Sequence, residues 1–315
     1  MSDLDRVLVL AGGLSYEREV SLHSGRRVVD ALRTIGVEAE LADVDPGLLP
    51  ALTADPPSAI FIALHGATGE DGAIRDVLDL MGLPYVGSDA AACRLAFDKP
   101  SAKAAVRAAG LLTPGSVALP HATFRELGAS VVLDRIVERL GLPLMVKPAR
   151  GGSALGAGVV RTREELPSAM VGCFSYGEVA LVEAFVTGVE AAVSVIDTGS
   201  GPVALPATEI TPLEGAFDYA ARYTAGMTEY HCPARLTPEE ASAAADAALT
   251  AHRALGLRDL SRTDLIVADG VAHFLEVNVS PGMTETSLLP LSADAADIDL
   301  GTLCRDLLQQ AAGRA

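Results

Sequence analysis

Three oxygen-bearing side chains near the end of the sequence could hold a divalent cation. Asp264 lies in one apolar run, while Glu276 and Asn278 lie two residues apart in the next, on one face of a strand. Carboxylate and amide oxygens are the ligands that Mg²⁺ prefers. They could also be ordinary polar strand ends, but 265–267 and 274–275 are apolar, and a buried carboxylate is costly unless it is compensated. A magnesium ion that also bridges phosphates would provide that compensation.

A loop of small residues follows a lysine at the end of another apolar run. It extends from Lys147 to Gly156 and reads KPARGGSALG. Small residues let backbone N–H groups approach phosphate oxygens, and the lysine adds a positive charge. The chain has no GxxxxGK[ST] motif and no GxGxxG motif after a strand, so it is neither a P-loop protein nor a dinucleotide-binding one. Taken alone, this stretch is slightly more typical of a flexible surface loop.

Two further candidates lie near the N-terminus. A Gly12-Gly13 turn leads into a helix, whose first N–H groups form a natural anion site. Ser15 or Glu17 could also be a plain helix cap. His65 follows a buried strand, where a structural role and a binding role are about equally expected. No GxSxG motif is present and no cysteine or serine stands out as a nucleophile, which disfavours hydrolases.

The elements that must position these residues alternate between strand and helix in the first part of the chain. Strands are predicted at 6–11, 37–42, 59–64 and 83–86, and helices at 20–35 and 72–81. Such βαβ alternation predicts a doubly wound parallel sheet. Ligands of these sheets collect at the carboxyl ends of the strands, where the Gly12 turn and His65 lie.

Two more units follow, so three domains are predicted, at 1–93, 94–178 and 179–315. The second unit has helices at 99–109 and 163–170 and strands at 144–148 and 159–160. The third has strands at 180–183 and 189–196, a helix at 238–255, a strand pair at 260–267 and 273–277 that turns at Asp269-Gly270, and a last helix at 300–312. Residues 212–236 carry few regular signals and are long for a loop, which indicates a functional segment.

The composition excludes several classes of protein. The 315 residues include 24 Lys+Arg and 41 Asp+Glu, a net charge of −17, which disfavours nucleic acid and anionic membranes as partners. No run approaches the roughly 18 apolar residues of a spanning helix, and the opening MSDLDRVLVLAGG predicts a first strand, not a signal peptide. Four cysteines without a CxxC pair predict neither a zinc site nor a disulfide framework. We therefore expect a soluble, cytoplasmic protein.

The segments that carry these residues resemble, in order, those of the D-alanine–D-alanine ligase family of the ATP-grasp superfamily. The resemblance covers nearly the whole chain. It rests on GGLSYEREVSLHSG, ALHGATGEDGAI, GLPYVGSDAAACRLAFDKPSAK, PLMVKPARGGSALG, VEAFVTGVE, FDYAARYTAGMTEYHCPA, SRTDLIV and FLEVNVSPGMTETSLLP. Each segment alone has low specificity, but their joint order is highly specific.

The resemblance implies an α/β fold of three-domain ATP-grasp architecture, with ATP held between the central and C-terminal domains. It implies the following ATP contacts: Lys99, Lys147 and Arg222 at the phosphates, Glu183, Phe185 and Val186 at the adenine, and Glu190 at the ribose. It also implies that two Mg²⁺ ions, or Mn²⁺ in their place, are bound by Asp264, Glu276 and Asn278.

The resemblance also implies the amino-acid sites. Glu17 would hold the ammonium group of the first D-alanine, with His65 nearby. Arg262 and the backbone of Gly282 would form the oxyanion site, and Ser287 and Leu288 would bind the second D-alanine. Glu17, Ser153 and Tyr223 match the family's hydrogen-bonded triad that closes a mobile loop over the site.

The activity implied is ATP-dependent ligation of two D-alanines through an acyl phosphate, for peptidoglycan precursor synthesis, by a homodimer. Water would hydrolyse an acyl phosphate, which gives segment 212–236 a physical reason to act as a lid. Related D-alanine–D-lactate ligases tend to carry histidine at the position of Tyr223, so this tyrosine favours D-alanine as the second substrate.

Four positions depart from common family patterns: Arg222 stands in place of a lysine, Ala184 in place of a hinge lysine, Gly151 in place of an acidic residue, and Ala216 in place of an aromatic one. Two alternatives therefore stay open. One is another ATP-grasp carboxylate–amine ligase with a different second substrate, and the other is a non-catalytic nucleotide-binding or regulatory protein.

Overall fold

The first sheet of the protein is parallel, as the alternating pattern predicts. The structure is a computed structural model in which residues 4–213 and 226–314 are described. Three strands pair in the order β2-β1-β3: β1 (Val7–Leu10), β2 (Ala39–Ala42) and β3 (Ala59–Ile62). The connections between them contain α1 (Arg18–Thr34) and α2 (Leu48–Ala54).

Alternate residues of β1 point into two different cores, which is the packing that a doubly wound sheet requires. Val7 and Val9 belong to a cluster that includes residues of α1. Leu8 and Leu10 belong to a second cluster on the other face, together with Leu52 of α2. The predicted N-terminal architecture is confirmed.

Three helices follow β3: α3 (Ala67–Glu70), α4 (Ala73–Leu80) and α5 (Ala90–Phe97). The strand predicted at 83–86 is wrong, because this run forms only a single bridge between Tyr85 and Ile60. Gly82 and Gly87 flank the run with positive φ, and Pro84 has no N–H group to donate to a ladder. The predicted boundary at 93/94 falls within α5.

The second sheet is antiparallel, with the strand order β4-β7-β5-β6. Its strands are β4 (Ser116–Pro120), β5 (Leu144–Pro148), β6 (Gly158–Val160) and β7 (Val179–Ala184). The helices of this region are α6 (Lys99–Ala108), α7 (His121–Leu127), α8 (Ala129–Leu140) and α9 (Leu166–Phe174). The helix predicted at 163–170 thus begins and ends a few residues later, with Pro167 in its first turn.

The strand β7 pairs with β4 on one side and β5 on the other. The boundary predicted at 178/179 would separate β7 from its partner strands β4 and β5. Strand pairing instead places β7 in the second sheet. The division of the chain into three domains stays a prediction.

The third sheet carries the strand pair predicted near the C-terminus. Its strands are β8 (Val189–Ile196), β9 (Val203–Ala204), β10 (Thr208–Pro212), β11 (Thr228–His231), β12 (Leu260–Ala268) and β13 (Val271–Asn278). Five of them follow the order β11-β10-β8-β12-β13, and β9 pairs with β8. The turn at Asp269-Gly270 joins β12 and β13 as predicted. Segment 212–236 is more regular than expected, because it contains β11, while 214–225 lies outside the described residues.

The last three helices of the described chain are α10 (Pro238–Ala254), α11 (Leu288–Asp294) and α12 (Leu300–Ala312). Buried alanines of α10 share a core with Val193 of β8 and Leu265 of β12. Leu303 and Leu307 of α12 return to the core beside Val7 of β1, so the end of the chain packs on the first sheet. Within the described ranges, no helix is both long and apolar enough to cross a membrane.

Candidate active site

A cavity of about 650 Å³ is lined by residues from the regions of all three sheets. Ten of the predicted site residues line it: Glu17, His65, Lys99, Ser153, Arg262, Glu276, Asn278, Gly282, Ser287 and Leu288. Six others are not among its lining residues: Lys147, Glu183, Phe185, Val186, Glu190 and Asp264. Arg222, Tyr223 and the departure at Ala216 lie outside the described residues. The structure therefore brings residues that are far apart in sequence to one place.

The β12–β13 hairpin brings the predicted metal ligands together. Asp264 and Glu276 are direct partners across the two strands. Both oxygens of Asp264 accept hydrogen bonds from Arg262, at 2.7 Å from Nε and 2.9 Å from Nη2. Burial opposes the charge on Arg262, but the Asp264 carboxylate outweighs it and raises the pKa of the guanidinium. Arg262 is therefore held in its charged form against the Asp264 carboxylate.

The two other predicted ligands also have partners. Glu276 Oε2 lies 3.4 Å from Lys99 Nζ, which also donates to the carbonyl of Gly151 at 2.6 Å. Asn278 Oδ1 accepts from the N–H of Ser280 at 2.7 Å. Among the described residues, no three His, Cys, Asp or Glu side chains cluster in a way that could hold a metal. The amide oxygen of Asn278 is thus needed to complete the set, and an all-oxygen set fits Mg²⁺.

Glu183 lies near the end of β7, between two lysines. Its side chain is only 2% exposed, and its two oxygens lie 2.7 Å from Lys147 Nζ and 2.7 Å from Lys103 Nζ. Burial alone would raise the pKa of the Glu183 carboxyl, but the two lysines hold it below its ordinary value. The carboxylate is thus paired with two lysine cations, and its contact with an adenine stays a prediction.

The other residues expected at the adenine and ribose lie where the chain passes from the second sheet to the third. Phe185 and Val186 are half-buried between β7 and β8, and the N–H of Phe185 donates to the Pro143 carbonyl at 3.0 Å. Glu190 lies on β8 opposite Ile266 of β12. Their roles stay predictions.

His65 connects the first sheet to the loop that follows β13. Its Nδ1 lies 3.1 Å from the Ser280 carbonyl, so this nitrogen carries the proton. Its Nε2 accepts from Ser24 Oγ at 2.9 Å, and Ser24 Oγ accepts from the N–H of Met283 at 3.1 Å. Burial lowers the pKa of His65 to about 4, so the ring is neutral. We infer that His65 shapes the loop around Gly282.

Gly282 lies where a side chain would not fit. A Cβ atom at this position would be 2.6 Å from Ser287 Oγ. Ser287 Oγ in turn accepts from the N–H of Thr284 at 3.0 Å, and Leu288 begins α11. The backbone of Gly282 and the start of α11 therefore approach the cavity closely.

Glu17 connects the start of α1 to the small-residue loop. It is buried, and a Cβ added to Gly152 would lie 3.3 Å from its Oε1. Ser153, the next residue, has a φ of 55°. Glu17 and Ser153 thus line one wall together, while Tyr223, the third member of the predicted triad, is not described.

Sequence reasoning missed Glu70, a buried carboxyl group that also lines the cavity. Its Oε1 accepts from the N–H of Gly66 at 3.0 Å. Burial raises the pKa of Glu70 to about 7. One sequence feature could have indicated Glu70 as a site residue: it lies in the same LHGATGEDG segment as His65, four residues after Gly66.

Arg27 was also missed. It donates from Nη1 to the carbonyls of Met283 and Thr284, at 3.0 and 2.5 Å. It thus holds the same loop as His65 from the side of α1.

Comparison with known proteins decides the family. A family model described as the C-terminus of D-ala D-ala ligases matches residues 106–309. The chain belongs to the D-alanine–D-alanine ligase family. The resemblance read from the sequence is thereby confirmed.

Individual relatives match over almost their full length. A D-alanine--D-alanine ligase of Anaeromyxobacter dehalogenans is 42% identical over 311 residues, which cover 98% of both chains. The crystal structure of the Bacillus anthracis D-alanine--D-alanine ligase has a TM-score of 0.82 at 31% identity and covers 98% of this chain and 97% of that one. The VanG D-Ala:D-Ser ligase of Enterococcus faecalis has a TM-score of 0.83 at 26% identity, with 98% and 99% covered.

Proposed function

We propose that the protein joins two D-alanine molecules through an acyl phosphate formed with ATP, and so supplies a peptidoglycan precursor. The observation that carries the proposal is the cavity, where a buried carboxylate, an arginine, a lysine and the metal-ligand hairpin converge from three sheets. Family membership and the full-length relatives support it. A B. anthracis relative has been solved in complex with ATP, at 29% identity and a TM-score of 0.80.

The first step needs positive charge around the phosphates. Attack by the carboxylate of the first D-alanine on the γ-phosphate breaks the bond to ADP and leaves an acyl phosphate. Lys99 and Lys147 would hold the phosphates, and Arg222 would add a further cation. Mg²⁺ bound by Asp264, Glu276 and Asn278 would neutralise charge on the transferred group. Two such ions, or Mn²⁺, are part of the proposal.

The second step needs an oxyanion site. The amine of the second D-alanine attacks the acyl carbon, and phosphate leaves. Arg262 and the backbone N–H of Gly282 would donate to the oxyanion, and Glu17 would hold the ammonium group of the first D-alanine. Ser287 and Leu288, at the start of α11, would hold the second D-alanine.

The similarity to a D-Ala:D-Ser ligase keeps one alternative specific: the same chemistry with a second substrate other than D-alanine. Tyr223 in the segment expected to close over the site favours D-alanine. The identity of the second substrate, not the phosphoryl transfer, would distinguish the two reactions.

The test is phosphate release from Mg²⁺-ATP with D-alanine alone, with mass detection of the product. We expect D-alanyl-D-alanine, and we expect Glu276→Gln to abolish release. Glu239→Gln, which changes an exposed carboxylate of α10, is the matched control and should retain full activity. Phosphate release that requires added D-serine or D-lactate would favour the alternative. Phosphate release by the Glu276→Gln variant at the wild-type rate would refute the assignment of Glu276 as a metal ligand.

Three further expectations belong to this proposal. The amino acids and ATP are the partners, the protein forms a homodimer, and it resides in the cytoplasm. Light scattering tests the dimer, and cell fractionation tests the location.

A further inference from the structure

Lysine is rare in this protein. Only three of the 24 basic residues are lysine, at positions 99, 103 and 147, and all others are arginine. Lysine is a compact point charge with three rotatable donors, while arginine is a wide planar fork. Lys99 and Lys147 have proposed roles at the phosphates. Lys103 has none so far.

Lys103 lies on α6, one turn after Lys99, and is 1% exposed. Its Nζ lies 2.7 Å from Glu183 Oε1, 2.9 Å from Thr113 Oγ1 and 3.2 Å from the Phe274 carbonyl. Thr113 Oγ1 and the Phe274 carbonyl accept hydrogen bonds from this ammonium group, and Glu183 pairs with it as the counter-charge. Burial lowers the pKa of Lys103 to about 8, while Glu183 opposes the decrease, so the cation persists at neutral pH.

Glu183 is shared between two lysines. Its other oxygen lies 2.7 Å from Lys147 Nζ. Two cations and one anion give this buried group a net charge of +1. Without Lys103 the pair of Glu183 and Lys147 would be neutral, and Lys147 would have no excess charge to offer to a phosphate.

Lys103 also joins the two sheets on either side of the proposed nucleotide site. Glu183 belongs to β7 of the second sheet, and Phe274 belongs to β13 of the third, two residues before Glu276. The chain before Thr113 docks on the same strand, since the N–H of Phe274 donates to the Leu112 carbonyl at 2.8 Å. The ammonium group of Lys103 thus contacts both the second sheet and the metal-ligand hairpin.

We propose that Lys103 is a positioning residue for the nucleotide site: it neutralises Glu183 from the side opposite Lys147 and so leaves the charge of Lys147 to the phosphates. This inference rests on the proposed function for the identity of the ligand. It assigns Lys103 no contact with ATP. It predicts that the effect of removing Lys103 depends on Glu183.

The test measures the Kd of a non-hydrolysable ATP analogue with Mg²⁺ by calorimetry. Lys103→Met should raise this Kd at least about tenfold, because Lys147 becomes neutralised by Glu183. Adding Glu183→Gln in the same chain should lower the Kd again by at least about fivefold, because the net charge returns to +1. Glu183→Gln alone should lower the melting temperature, since two buried lysines lose their shared anion.

The matched control is Arg107→Met, which removes a positive charge from the exposed face of the same helix and should leave the Kd within about twofold. A Lys103→Met variant that binds as tightly as the wild type would overturn the inference, as would a double variant no better than Lys103→Met. If Lys103→Met fails to fold, the double variant decides: a Kd within about fivefold of wild type supports the inference, and any weaker binding refutes it.

A second readout uses the scarcity of lysine and needs no nucleotide. Lysine labelled with ¹³C at Cε should give three side-chain NMR signals, assigned by single substitutions. The Lys147 signal should shift in Lys103→Met and not in Arg107→Met. An unchanged Lys147 signal would refute the coupling. A wild-type protein that binds no nucleotide would refute the proposed function instead, so the two failures are distinguishable.

Discussion

Two buried titratable residues at the cavity respond to pH in opposite directions. Burial raises the pKa of Glu70 to about 7 and lowers the pKa of His65 to about 4. For Glu70 the folded pKa lies above the unfolded one, so its contribution to stability is lost as pH rises through about 4.5 to 7. For His65 the folded pKa lies below the unfolded one, so its contribution grows between about pH 4 and 6.5. The two contributions partly cancel in the wild-type protein.

Glu70→Gln should reveal this cancellation. The amide oxygen can still accept from the N–H of Gly66, but the cost of ionising a buried carboxyl group disappears. The variant should therefore gain stability relative to the wild type as pH rises from about 5 to 7, by at most about 1.4 kcal/mol per pH unit. Urea unfolding at several pH values measures this difference. Glu19→Gln, an exposed carboxylate at the same cavity, is the control, and a pH-independent difference for Glu70→Gln would contradict the assignment.

The sequence could predict site residues that end a strand or begin a helix, because their position follows from a local pattern. Glu17 and His65 are of this kind, whereas Lys99 was expected only from the family resemblance, and all three line the cavity. Glu183 and Lys103 are different. Their pairing joins β7 to α6 across about 80 residues of chain, and nothing in either local segment indicates the partner.

At the scale of elements, the start of α10 offers a test that is separate from the site. Thr237 Oγ1 accepts from the N–H of Glu240 at 3.3 Å, and the Glu240 side chain accepts from the N–H of Thr237 at 3.0 Å. This capping box satisfies two N–H groups that the helix would otherwise leave open. α10 covers the face of the third sheet through buried alanines, so its stability affects the fold more than the chemistry.

Thr237→Ala should lower the free energy of unfolding by about 1 kcal/mol and leave the KM values unchanged. Ser242→Ala, at an exposed position inside the same helix, should instead add a few tenths of a kcal/mol, because alanine is the better helix former. Thermal and urea unfolding of both variants measures the two effects. Equal changes for the two substitutions would mean that the cap contributes nothing.

Helices and strands whose apolar residues recur at regular spacing were predictable. Those whose residues are only partly buried were not. The last helix and the β12–β13 pair match their predicted ranges closely, because each presents a regular apolar face. β4 was missed, since most of its residues are only half-buried and it ends in a proline. Run 83–86 was apolar enough to resemble a strand, but two flanking glycines confine it to one bridge.

At the scale of the whole molecule, one buried aspartate ties the C-terminal residues to the region of the first sheet. Asp259 is fully buried, and its oxygens accept from Arg314 at 2.7 and 2.6 Å and from the N–H of Gly87 at 2.7 Å. Arg314 also donates to the Tyr85 carbonyl at 3.0 Å, and Arg258 stacks over the Tyr85 ring at 5.3 Å. This joint fixes the region of the first sheet against β12, which carries Arg262 and Asp264.

Arg314→Met should therefore destabilise the protein and weaken amino-acid binding more than nucleotide binding. Loss of the arginine leaves a buried carboxylate that still accepts from the N–H of Gly87 and from Gln310 Nε2 but has lost its cation, which costs about 3 kcal/mol. The KM for D-alanine should rise, because Glu17 and His65 belong to the first-sheet region. The Kd of the ATP analogue should stay unchanged, because the residues proposed to bind it lie in the two other sheet regions. Arg305→Met, which removes a half-exposed arginine paired with its neighbour Asp306 on α12, should change either quantity little. A Kd for the ATP analogue that rises as much as the KM for D-alanine would show that the joint supports the fold in general, not the relative placement of the two substrate sites.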